Sequence, residues 1–72
     1  MAEMPPLPTW REDDGTVVAC TEKIKVMEEN MQELFQAAQD AFEDGLLMGC
    51  SEAQLRDYLQ RLAAAVENPY RR

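Results

Sequence analysis

A ladder of apolar or small residues at alternating three- and four-residue steps runs through the middle of this chain: Ile24, Met27, Met31, Leu34, Ala38, Ala41, Gly45 and Met48. This spacing keeps one stripe of an α-helix apolar for about three and a half heptads, and such a seam needs another helix to bury it. Directly after the ladder, Met48-Gly49-Cys50-Ser51-Glu52-Ala53-Gln54 reads as a helix stop followed by a helix start. The pattern restricts the chain to the all-α class, as a long helix turning back into a shorter one.

The long helix is expected over about residues 22–48, with Thr21 as its N-cap and Glu22 at the positive end of the dipole. Gly45 inside it costs about 1 kcal/mol relative to Ala. With Ala38 and Ala41 on the same small face, that glycine implies the close approach of a neighbouring backbone. The short helix is expected over about residues 52–67. Ser51 and Gln54 form a capping box, Cys50 and Leu55 occupy the staple positions, and Leu55, Leu59, Leu62 and Val66 supply the apolar face. Asn68-Pro69 ends it. So short a connection forces the helices antiparallel, giving a helical hairpin.

The remaining sequence divides as an extended or disordered Pro-rich arm (1–20), the hairpin (21–68) and a tail (69–72). Met4-Pro5-Pro6-Leu7-Pro8 favours polyproline II over helix. Asp14-Gly15 is a turn signal between Thr9-Trp10-Arg11 and the β-prone Thr16-Val17-Val18-Ala19. Two strands this short are marginal alone. The arm is therefore expected to be loose unless Trp10 and Val17 or Val18 dock on the helices.

The helices are unequal by about 16 Å, so the short one covers the long one only to about Gln32. Ile24, Met27 and Met31 lie beyond its reach. A second stripe, Met31, Phe35, Ala38, Phe42 and Leu46, falls on its margin. Ile24, Met27, Met31, Phe35, Phe42 and Leu46 are thus the candidate interface. Three covers are available: a second copy, making a homodimeric four-helix bundle; a helix of another protein; or the arm, through Leu7 and Trp10. The dimer leads, because a chain this short buries only about 60% of its unfolded surface. Two cysteines and no histidine leave few other ways to staple it.

Fourteen acidic residues against seven basic ones give a net charge of −7. No Lys or Arg occurs between Val26 and Leu55, whereas seven carboxylates do. This argues against nucleic acid and against an anionic membrane surface as partners. The absence of a signal-like N-terminus and the sparse cysteines set the cytoplasm as the expected compartment.

Little chemistry is encoded. There is no histidine for acid–base work. With Ile24 at an a position, the carboxylates of Glu29, Glu33, Asp40, Glu43 and Asp44 map outward. Ser51 is committed to its cap. Cys50 borders a helix N-terminus, which favours a thiolate, but packing as a staple residue explains it more simply. Cys20 and Cys50 flank a helix of about 40 Å, too far apart to bridge. No catalytic, cofactor-binding or metal-ligating residue is assigned. The expected function is a small acidic protein–protein interaction or regulatory module acting by helix–helix packing. The alternatives are a chaperone-like or antagonist protein that sequesters a basic or amphipathic helix, and a carboxylate-based metal binder.

Overall fold

The computed structural model describes residues 2–71; Met1 of the arm and Arg72 of the tail lie outside the described residues. The chain forms two helices, α1 over Thr21–Leu47 and α2 over Glu52–Ala65, and no strand among the described residues. They pack as the all-α hairpin expected from the ladder. The chain divides into two compact units, Met1–Ala37 and Ala38–Arg72, and the division falls inside α1. Each unit thus holds one part of the long helix and its own cover.

In the first unit, α1 begins one residue earlier than the sequence implies. The Ile24 N–H donates to the Cys20 carbonyl at 3.0 Å, so Cys20 is the N-cap and Thr21 the first helical residue. The Cys20 thiol pKa is lowered, chiefly by the nearby Lys23 backbone N–H. Burial opposes this, while the Glu22 N–H and the Lys23 charge reinforce it.

Upstream, the arm closes on itself. The Gly15 N–H donates to the Glu12 carbonyl at 2.9 Å and the Glu12 N–H to the Thr16 carbonyl at 2.8 Å. Gly15 has φ +91°, a left-handed conformation that only glycine adopts without strain. This is the pattern of a three-residue hairpin loop with a glycine bulge. The Asp14 carboxylate accepts from the Thr16 N–H at 2.9 Å, and the Arg11 guanidinium donates to the Gly15 carbonyl at 3.0 Å. The pairing ends there, with one antiparallel bridge between Arg11 and Val17 and one further bond from Val18 N–H to the Trp10 carbonyl. The two flanks of Asp14-Gly15 thus meet as a bridged turn, because three-residue strands have too few partners to extend a ladder.

The second unit owes its turn to glycine. Gly49 lies at φ +92°. Its N–H donates to the Leu46 carbonyl, and the Cys50 N–H to the Gly45 carbonyl at 2.9 Å. These two bonds are a Schellman stop, which satisfies carbonyls left over at the end of α1. The Gln54 N–H then donates to the Ser51 hydroxyl at 3.1 Å, which is the Ser51 half of the expected capping box. At the far end, α2 stops at Ala65 rather than Glu67. Val66 is extended and largely exposed, so packing gives it no reason to stay helical. Asn68 then turns on itself, its side chain accepting from the Tyr70 N–H at 2.8 Å.

Gly45 is the only buried residue among those described, and it explains the packing of α1 on α2. A methyl group at its Cα would stand 2.7 Å from Leu55 Cδ2. The close neighbour is therefore the side chain of Leu55, the first apolar residue of α2, and not the backbone that the small face implied.

Candidate interaction grooves

Neither unit contains a sealed core. Among the described residues no hydrophobic side chain is fully buried, and the chain exposes 6733 Å². What the chain offers instead is two apolar grooves, one in each unit.

The first groove, of about 540 Å³, is built where the bridged turn meets the start of α1. The turn supplies Trp10 and Val18; α1 supplies Ile24, Val26 and Met27. Trp10 and Val18 are half-buried, so the docking on which order of the arm was expected to depend takes place, whereas Val17 remains exposed. The Trp10 indole N–H is buried without an acceptor, which costs about 1–3 kcal/mol and marks this contact as imperfect. Met4 and Leu7 of the arm are also half-buried, as are Met27, Met31 and Phe35 at four-residue spacing along α1. Over Ile24 and Met27 the chain's own arm supplies the other wall of the groove, through Trp10 and Val18.

The second groove, of about 370 Å³, lies between α1 and α2. Phe42 comes from α1; Leu55, Tyr58, Leu59 and Leu62 come from α2, with Cys50 at the connection. Phe42, Leu55 and Leu59 are half-buried, while Tyr58 stays 64% and Leu62 48% exposed. The Arg56 guanidinium lies 4.8 Å from the centre of the Phe42 ring, a cation–π contact that covers the ring's outer face. The same guanidinium pairs with Glu52 at 3.2 Å, and Arg61 pairs with Asp57 at 2.9 Å. Both are exposed i,i+4 pairs with the acid on the N-terminal side, each worth about 0.3–0.5 kcal/mol. Their larger consequence is that α2 carries no net charge. α1, with seven carboxylates against Lys23 and Lys25, carries −5.

The candidate interface from the sequence is thus distributed. Ile24 and Met27 line the first groove, Phe42 lines the second, and Met31 and Phe35 are half-buried without lining either. Leu46 is 41% exposed. The α2 residues Tyr58, Leu59 and Leu62 were missing from that set. The signal for two of them was in the sequence: Leu59 and Leu62 belong to the apolar repeat of α2, which was read only as a face for α1. Tyr58 sits off that repeat. Among the described residues, no group of three or more Cys, His or carboxylate side chains gathers as a metal site, and no helix is long and apolar enough to cross a membrane. Both cysteines are free and exposed.

The chain matches no protein-family model, no curated protein and no solved structure. Its functional reading rests on its own geometry.

Proposed function

We propose that this protein is a small, non-catalytic interaction or regulatory module that works by packing its helices against those of another polypeptide chain. The observation that carries the reading is that no hydrophobic side chain among the described residues is buried, while Leu34, Leu46, Tyr58 and Leu62 stay 41–64% exposed. The exposed apolar residues are also of the types that anchor helix-in-groove contacts, with Tyr58, Leu62 and Leu46 beside a preformed groove. The reading places the protein in a reducing cytoplasm, where two exposed thiols remain unbridged.

A second reading, the sequestration of a basic or amphipathic helix, is favoured by one feature: the net −5 of α1, carried on exposed side chains. It predicts that a basic amphipathic helix raises the melting temperature and that salt abolishes the effect.

The test of the interaction reading is the state of the isolated chain at high dilution. It should bind the dye ANS and melt with low cooperativity, as expected when apolar surface is left uncovered. A chain that melts cooperatively and stays silent toward ANS at every concentration would need no partner, and the proposal would fall.

A further inference from the structure

Resting on that reading, we infer that the partner is a second copy of this chain, and that the two copies meet through the α2 side of the second groove rather than along the apolar ladder of α1.

The first argument is charge. Two copies of α1 side by side would oppose one net −5 to another, and like charges across an interface cost affinity. α2 is neutral, because Glu52–Arg56 and Asp57–Arg61 compensate each other within the helix. It is the one helix that can lie against its own copy without repulsion.

The second argument is self-complementarity. A twofold interface uses the same patch on both partners, so the patch must carry both a hollow and something to fill it. The second groove does. Phe42, Leu55 and Leu59 form its half-buried floor, while Tyr58 and Leu62, on its rim, stand about half or more exposed. The rim of one copy can enter the hollow of the other, with Tyr58 as the aromatic anchor that such interfaces favour.

Size gives the third argument. A chain of 72 residues is marginal on its own core and usually adds a disulfide, a metal or oligomerisation. Cys50 is free, and no metal cluster occurs among the described residues. A second hairpin over the groove would complete a four-helix bundle.

The experiment is light scattering on the full chain across a dilution series, comparing wild type with Tyr58→Glu, Leu62→Glu and Leu34→Glu, each checked for helicity. Leu34 is 58% exposed on α1 and serves as the control for a ladder interface. The wild type should scatter at twice the 8.2 kDa chain mass. Both α2 variants should fall to the monomer mass with helicity retained, and Leu34→Glu should remain dimeric. Alkylation of the two thiols gives a second readout that needs no substitution. Cys50, which lines the groove, should slow several-fold as concentration rises, while Cys20 keeps its rate. This readout decides the matter if the variants lose their fold. A dimer that survives both α2 substitutions, or that Leu34→Glu breaks, overturns the α2 seam. A wild-type monomer that binds ANS overturns the second copy and leaves the interaction reading, with a different protein as partner. A wild-type monomer that is cooperative and ANS-silent overturns both.

Discussion

The two units solve one problem with different materials. Each must cover part of the apolar face of α1. The unit Ala38–Arg72 does so with a regular helix, held by a Schellman stop, the Ser51 N-cap and the seat that Gly45 offers Leu55. The unit Met1–Ala37 does so with irregular chain, in which a glycine bulge and an Asx-type bond fold a turn that brings Trp10 and Val18 to Ile24 and Met27. The helical cover satisfies its backbone internally and leaves its side chains free to shape a groove. The irregular cover relies on a few bonds and strands one buried donor, the Trp10 N–H. Each unit keeps a groove, but only the one in the second unit is walled by two regular helices.

If the comparison is sound, damage to one cover should stay with its unit. Leu55→Ala should have the largest effect, destabilising the chain by about 2–3 kcal/mol, at the lower end for Leu→Ala because the side chain is half-buried. Native-state hydrogen exchange should show α2 losing protection while the Val18 N–H keeps its own. Equal losses in both units would break the comparison. Trp10→Ala should cost about 2 kcal/mol, less than a fully buried tryptophan, because the orphaned N–H disappears with the ring. Here the protection lost should be that of the turn and the first residues of α1. Ser51→Ala should cost about 1 kcal/mol through the lost cap, read as a lower melting temperature with no change in Trp10 fluorescence.

The smallest effect concerns pH. Asp14 has a lowered pKa, chiefly because its carboxylate accepts from the Thr16 backbone N–H. A depressed carboxyl stabilises the fold above its ordinary range of about 4, and the contribution is lost as pH falls through the lowered folded value. Acidification below pH 4 should thus loosen the turn, seen as a shift in Trp10 emission before α2 helicity changes. Asp14→Asn keeps an acceptor without the charge and should flatten that response. For Cys20 the same sign applies in the alkaline range. Its lowered thiol pKa means that ionisation below the usual range of about 8–9 stabilises the fold, so Cys20 should alkylate faster than an ordinary thiol at neutral pH.

The second unit was largely legible in the sequence because its signals are local. Gly49, Ser51 and Gln54 act on backbone groups within a few residues, and the leucine repeat of α2 has a period that identifies its face. The first unit was legible only in part. Asp14-Gly15 announced the turn, but whether Trp10 docks depends on contact between residues about 15 apart, on which local propensity is silent. The cap at Cys20 was missed for a simpler reason: thiols are weak acceptors, and Thr21 stood next to it with a better one.

By itself the sequence determined the class, the two helices and the turn between them, since caps, glycines and periodicity are written in neighbouring residues. The tertiary structure decided which residues cover the ladder, that the partner of Gly45 is the Leu55 side chain, and that Tyr58 and Leu62 remain exposed beside a groove. A helical period says which residues share a face. It does not say how far a cover reaches across that face, because reach depends on the volumes and directions of side chains brought together only by folding.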